Sequence, residues 1–303
     1  MMLRKAQGIL PVAQVAENIW VKRDDLFVPF PDVGMNGAKT YQCLNLIEQH
    51  LDQIKTANDS TVFSDNFLES PQGPIVARVA QHFGLRCIVP VAAASLESAL
   101  AHRSMQLVQQ WGGEVIPVCK MGFALKPKAG QLYGDKYFRV RFGMAGDMAS
   151  VRKSVVEPVR EQAKAFIGIP TADMTLVVAV GSGVAFASLL VGLADHAITF
   201  KRIVAIQIAG YDRTQTISRI VHSCGYQLWE EGDFPFMTRK TVQGFEFIED
   251  KTYAYSKHLH REIGKIELDS QYEAKAWDWV VRERLVEQGP VMFYIIGNSN
   301  CLR

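Results

Sequence analysis

The sequence predicts an α/β fold, with open and mostly parallel sheets covered by helices, on three observations. Strand-like β-branched runs alternate with helix-like spacings along most of the chain. Helical segments stop at glycine, as at Gly84 and at Gly112 and Gly113. From Met174 to Ala194 there is no charged residue, but Gly181-Ser182-Gly183 divides the stretch into a β-branched run, Leu176 to Val180, and a segment whose Phe186, Leu189, Leu190 and Leu193 are spaced as on a helix. An apolar stretch of roughly 18 or more residues can be a membrane span. The glycine interruption favours a buried strand, a tight turn and a buried helix instead.

The remaining elements follow in order. Ile19 to Val21 reads as a strand, Thr40 to Leu51 as a helix and Thr61 to Ser64 as a strand. Gln72 to Phe83 reads as a helix closed by Gly84, and Cys87 to Val91 as the next strand. Leu96 to Trp111 and Val115 to Val118 repeat the unit. Between about Lys120 and Ala149 the composition shifts to Gly, Lys, Tyr and Met, with Phe138 to Phe142 alternating like a strand, which suggests a nearby boundary. A helix is expected around Pro158 to Phe166, then the strand-turn-helix above, a strand Ile203 to Ile208 and a helix Arg213 to Cys224. The segment Leu228 to Lys265 is less regular. A helix Gln271 to Glu287 and a strand Val291 to Ile296 close the series.

Composition narrows the function classes. The 303 residues are 48% hydrophobic and 21% charged, a globular profile with length for one large or two medium domains. With 33 Lys+Arg against 31 Asp+Glu the net charge is +2, too small for a protein that blankets phosphate backbone, though it leaves room for a local basic patch. The five cysteines are scattered and odd in number, so neither a disulfide framework nor a zinc pattern is expected, and a reducing cytoplasm fits best. The apolar stretch near the N-terminus, Ile9 to Ala13, is too short for a secretory leader.

Two features can carry chemistry. Gly181-Ser182-Gly183, between a buried strand and a helix, offers backbone N–H groups at a helix N-terminus, where the dipole favours an anion. It lacks the Lys-Ser/Thr of a P-loop and the third glycine of a dinucleotide fingerprint. Two readings stand, a phosphate cradle and a glycine turn that only packs strand to helix. Earlier, Gly34-Met35-Asn36-Gly37-Ala38-Lys39-Thr40 puts a lysine after small residues at the start of a helix. Its amine is placed to be a nucleophile, against the ordinary reading of a solvated surface lysine.

In this order the motifs resemble the fold-type II pyridoxal-phosphate (PLP) enzymes, most of all the branch of aminocyclopropanecarboxylate deaminase and D-cysteine desulfhydrase. Lys22-Arg23-Asp24-Asp25 is similar to that branch's Lys-Arg-Asp-Asp, and Asn36-Gly37-Ala38-Lys39 to its Gly-Gly-Asn-Lys, whose lysine forms the Schiff base. Ser70-Pro71-Gln72 stands at the family's serine-led turn, and Gly84-Leu85-Arg86-Cys87 and Gly112-Gly113-Glu114-Val115 match later motifs. Gly181 to Ala185 answers the phosphate loop, and Leu268-Asp269-Ser270-Gln271-Tyr272-Glu273-Ala274-Lys275-Ala276 is similar to Leu-Asp-Pro-x-Tyr-x-Gly-Lys-Ala. The matches run from about residue 19 to 297.

The resemblance implies two open, mostly parallel sheets, a large domain of residues 1–48 and 150–303 and a small inserted domain of 49–149, with pyridoxal 5'-phosphate between them and a homodimer as the assembly. Lys39 is then the cofactor lysine and, with Tyr272, a catalytic residue. Gly181, Ser182, Gly183 and Val184 hold the phosphate, Gln72 and Ser299 contact the cofactor, and Ser70 and Gln72 hold the substrate; no metal is implied. The departures fall at the site. Pro71 and Gln72 replace the family's asparagine turn, Ala185 replaces a hydroxyl, and Ile296 cannot bond a pyridine nitrogen, leaving Asn298 or Ser299 for that role after a register shift. Six residues follow Gly297, fewer than the family usually carries, so a more open cleft is expected.

Three readings remain: a PLP enzyme acting on a free small amino acid, one acting on an amino acid attached to something larger, and a PLP-binding protein without catalysis. The persistence of Lys39 and the glycine loop favours catalysis. The PLP enzymes of bacteriophage thymidine hypermodification exemplify the second reading, which the altered carboxylate turn favours. There Lys126, Lys128, Arg139 and Arg141 would meet phosphate, with DNA a substrate rather than a high-affinity partner.

Overall fold

The computed structural model describes residues 8–31, 34–144, 149–208, 212–228 and 240–302. Two sheets organise them. The larger has six strands in the spatial order Val12–Ala16, Ile19–Arg23, Val291–Ile295, Thr175–Val180, Arg202–Gln207 and Glu246–Glu249, parallel except for the first pair. The smaller has four parallel strands, Gly113–Cys119, Arg86–Ala92, Thr61–Phe63 and Phe138–Arg139. The chain therefore builds the smaller sheet between the second strand of the larger sheet and the rest of it.

The uncharged stretch becomes the strand Thr175–Val180 and the helix Val184–Asp195. Leu176, Val178 and Val180 face one core of the sheet, and Val177 and Ala179 face the other. A strand covered on both faces has no polar side, which is why this run reads as continuously apolar. Among the described residues no helix is long and apolar enough to cross a membrane.

Several elements differ from the sequence expectation. Leu96 to Trp111 is two helices, Leu96–Leu100 and Arg103–Gln110, because Ser95 caps the first in a capping box and His102 adopts an extended conformation between them. The shifted composition after Lys120 contains a helix, Gly122–Tyr133, with Pro127 inside it, and the strand that follows is only Phe138–Arg139. The helix expected around Pro158 begins earlier and covers Ala149–Gln162. The last helix ends at Arg282, where Arg284 turns left-handed before Leu285–Gln288. Part of the less regular segment, 229–239, and the first seven residues lie outside the described residues.

A buried ionic knot ties three of these elements together. Asp24, fully buried at the end of the Ile19–Arg23 strand, accepts from the Tyr41 and Tyr294 hydroxyls at 2.5 Å each and pairs with the buried Lys22 ammonium. Lys22 also donates to Gln162 Oε1 at 3.2 Å, and Gln162 Nε2 donates to the Gly8 carbonyl at 3.1 Å. Tyr41 belongs to the helix Ala38–Gln49 and Tyr294 to the strand Val291–Ile295. Burial, reinforced by the Asp24 charge, holds both phenols well above their ordinary pKa, so they remain donors; burial also lowers the Lys22 pKa against the pull of Asp24.

Removing the cation leaves a buried carboxylate uncompensated, so Lys22→Met is expected to cost about 3–5 kcal/mol in chemical denaturation. Tyr294→Phe removes one donor of three and is expected to cost about 1–3 kcal/mol. Equal losses in the two variants would contradict the ranking.

Candidate active site

At the carboxyl ends of the central strands a cleft opens. Lys39, Tyr272 and the Gly181-Ser182-Gly183 turn all line it. Sequence motifs more than two hundred residues apart are thus one site.

Lys39 is the second residue of the helix Ala38–Gln49. Its position is set by a close backbone contact: Asn36 and Gly37 pair antiparallel with Asn298 and Gly297. Gly37 has φ +90°, and a Cβ there would lie 2.2 Å from the Ile296 carbonyl oxygen. The Ala38 N–H donates to that same carbonyl at 2.8 Å, and the Asn298 N–H to Asn36 Oδ1 at 2.7 Å. Only glycine satisfies both the left-handed conformation and the approach. Lys39 Nζ stands 5.9 Å from the centroid of the Tyr272 ring. Burial lowers its pKa, partly offset by the Asp269 and Glu273 carboxyls.

The glycine turn lies against the edge of the Tyr272 ring. A Cβ on Gly181 would come within 2.9 Å of Tyr272 Cε1, and Gly183, at φ +84°, is the N-cap of the helix Val184–Asp195. No side chain caps this helix and no acid sits in its first turn. Its N–H groups and the positive end of its dipole are therefore presented to the cleft, as an anion requires. Arg213 Nε, donating to the Gly181 carbonyl at 3.1 Å, holds the turn from behind.

Two carboxyl groups line the same cleft. Asp269 accepts from the N–H groups of Gln271 and Tyr272 at 2.9 and 3.0 Å through one oxygen, and from the Ser299 N–H and hydroxyl at 2.8 and 2.6 Å through the other. Glu273 Oε1 accepts from the Ile296 and Gly297 N–H groups, at 3.1 and 3.4 Å. Burial, helped by Asp269, raises the Glu273 pKa well above the carboxylate range. Tyr272 is linked to Tyr255 through their hydroxyls at 2.6 Å.

The structure separates the remaining expected residues. Val184 is buried at the start of its helix. Ser299 lines the cleft with its hydroxyl bonded to Asp269, and Asn298 lines it as well. Ser70 and Gln72 stand apart from the lining. The Gln72 amide donates to Ser64 Oγ at 3.0 Å and to the Arg141 carbonyl at 2.8 Å, and accepts from the Gly143 N–H at 2.6 Å. Ser70 Oγ accepts the Gln72 N–H at 3.3 Å. Ser70 and Gln72, expected at cofactor or substrate, are thus engaged beside the cleft: the fully buried Gln72 bonds Ser64 Oγ and the Arg141 and Gly143 backbone, while Pro71 and Ile75 line the cleft. Asp269 and Glu273 were missed as site residues, although both lie in the matched motif beside Tyr272. An Asp three residues before Tyr272, at a helix start, was the available signal.

No family model matches the chain. A curated protein, the O-seryl-dTMP PLP-dependent decarboxylase of Salmonella phage ViI, is 24% identical over 196 residues, spanning 59% of this chain and 44% of that protein. The chain thus aligns with less than half of that relative's length. Among solved structures, an ACC deaminase homologue superposes with a TM-score of 0.66 at 20% identity, covering 92% of this chain and 84% of the other. O-acetylserine dependent cystathionine beta-synthase from Helicobacter pylori gives 0.61 at 16%, covering 98% and 95%. Diaminopropionate ammonia lyase from Escherichia coli gives 0.63 at 14%, covering 96% and 83%. The fold is that of the fold-type II PLP enzymes.

The raised Glu273 pKa has a measurable sign. Above about pH 4.3 an unfolded glutamate has released its proton while the native one retains it, so this group's contribution to stability declines with rising pH until the native group ionises. Glu273→Gln keeps an acceptor for both N–H groups but does not titrate. Denaturation of the cofactor-free protein from about pH 5 to 8 is expected to show wild type losing stability relative to this variant. A pH-independent difference between them would contradict the assignment.

Proposed function

We propose that the chain is a PLP-dependent enzyme that breaks a bond at Cα of an amino-acid group, with the amino acid carried on a nucleotide. The observation that carries this reading is that the Lys39 amine, the Tyr272 ring and an uncapped helix N-terminus line one cleft. The residues fit the cofactor. The turn at Gly181 to Gly183 with the Ser182 hydroxyl suits its phosphate, the Tyr272 ring suits a flat heteroaromatic face, and the depressed pKa of Lys39 suits a nucleophilic amine. When bound, pyridoxal phosphate supplies an electron sink for the pair left at Cα.

The chain's own groups then have definite tasks. Lys39 Nζ, poised by burial, takes or delivers a proton at the reacting carbon. Burial raises the Glu273 pKa well above the carboxylate range and so favours its protonated form, a donor within the cleft. Asp269 fixes the Tyr272 backbone and the Ser299 hydroxyl. The wall supplied by Pro71 and Ile75 offers no hydrogen bond to a substrate carboxylate, because Pro71 has no N–H and the Gln72 amide is committed elsewhere. An ion against such a wall is poorly solvated. Loss of the carboxyl group as carbon dioxide relieves that cost, which supports decarboxylation, and the phage relative is itself described as a decarboxylase of a seryl nucleotide. The second reading, a lyase or deaminase of a free small amino acid, draws on the neighbours in fold.

Reconstituted protein is expected to bind PLP, with borohydride fixing the cofactor on Lys39 and Lys39→Ala remaining unlabelled. Carbon dioxide release is then measured with seryl-thymidine nucleotide, beside free serine, D-cysteine and aminocyclopropanecarboxylate. Turnover confined to the free amino acids selects the second reading; failure to bind PLP contradicts both.

A further inference from the structure

We propose that the start of the Gly122–Tyr133 helix forms a docking face for single-stranded DNA flanking the substrate nucleotide. The proposal rests on the reading above, that the amino acid is attached to a nucleotide. Phe123 is 82% exposed, Met121 60% and Phe67 42%, an unusual outlay of large apolar side chains on one short stretch of surface. They belong to one neighbourhood. The Phe67 ring packs on Gly122, whose Cβ would lie 3.2 Å from it, and meets the Phe142 ring edge-on at 4.9 Å between centroids.

Cations interleave with these rings. At about 100° per residue, Phe123, Lys126, Pro127 and Gly130 share the helix face opposite the buried Leu125 and Ala129. Lys126 Nζ lies 5.6 Å from the Phe142 ring centroid. Arg139 donates through Nη2 to the Lys126 carbonyl at 3.3 Å, and its Nη1 lies 3.3 Å from where a Gly130 Cβ would be. Its side chain is only 19% exposed and pairs with the buried Asp65 at 3.0 Å, so exposed Lys126 is the solvent-facing cation here, and Glu69 in the Phe67 loop is exposed as well. Aromatic rings that accept bases, beside cations that accept phosphate, are the combination that single strands require. Of the four basic residues singled out in the sequence, Lys126 and Arg139 adjoin this face. Lys128 falls about 140° from Phe123 around the helix, and Arg141 lends its carbonyl to Gln72.

Two chain segments lead from this face to the cleft. Gly143 follows Phe142, and a Cβ on it would be 2.7 Å from Ser182 Cβ; the loop that carries Phe67 runs on to Pro71 in the cleft wall. A nucleotide strand lying across Phe67, Phe142 and Phe123 would thus reach the glycine turn without crossing the protein.

The test is fluorescence anisotropy of PLP-loaded full chain with a labelled oligothymidylate of about 12 nucleotides. Salt-sensitive binding is expected, with the matched duplex binding less tightly. Phe123→Ala should weaken it about tenfold or more, and Lys126→Gln should lower the salt slope by about one. Size-exclusion chromatography should be the same for both variants and wild type, and Phe123→Ala should retain turnover of the mononucleotide. The proposal is overturned if the oligonucleotide does not bind, if Phe123→Ala binds it unchanged, or if Phe123→Ala alters the oligomeric state, which would make the face a subunit contact. Turnover of the mononucleotide without oligonucleotide binding sinks only this proposal, whereas failure on the nucleotide itself sinks the function reading.

Discussion

A carboxylate withdrawn from water governs the arrangement of this chain. Asp24 is fully buried, and an isolated ion in that position would be intolerable. Its oxygens are satisfied by Lys22, Tyr41 and Tyr294, each from a different turn of the architecture. Tyr41 lies two residues beyond Lys39 on the same helix, and Tyr294 lies two residues before Ile296, whose carbonyl receives the Ala38 N–H. Satisfying Asp24 therefore sets the helix of Lys39 against the final strand. Buried charge of this kind contributes little net stability, but it strongly penalises any arrangement in which a partner is missing.

The cleft treats its two carboxyl groups differently although they are four residues apart. Asp269 receives four hydrogen bonds and is satisfied as an ion. Glu273 accepts backbone N–H groups, among them those of Ile296 and Gly297, and burial drives it toward the protonated form. The same cleft thus carries one carboxyl group whose hydrogen bonds organise Tyr272 and Ser299, and another that burial pushes toward its protonated form. Burial thus displaces both Lys39 and Glu273 from their values in water.

Much of this was legible in the sequence where chemistry and local pattern coincide. The uncharged run around Gly181 read correctly as strand, turn and helix because both faces of its strand are covered and leave no polar residue to misdirect the period. Lys39 stood out because small residues preceded it at a helix start. The helix Gly122–Tyr133 was missed since Pro127, two glycines and a scatter of lysines and aromatics blur its periodicity; only Leu125 and Ala129 are buried on it. The contacts of Gln72 are illegible in the sequence for another reason. Its role depends on Ser64, Arg141 and Gly143 arriving from other segments, and no local pattern announces such a meeting. Glu273 was passed over because a glutamate in the first turn of a helix is ordinarily a solvated favourable charge, and only the final strand buries it.

The contact between Gly37 and Gly297 has a consequence for biosynthesis. The residue before the Lys39 helix is fixed by backbone that leaves the ribosome some 260 residues later, at about 5–20 residues per second. A nascent chain can complete the four-stranded sheet, whose strands all precede residue 140, long before it can hold Lys39 in place. Cofactor capture is therefore a late event in the life of each molecule, and a translational stall short of the final strand yields a chain that is partly folded yet chemically blank.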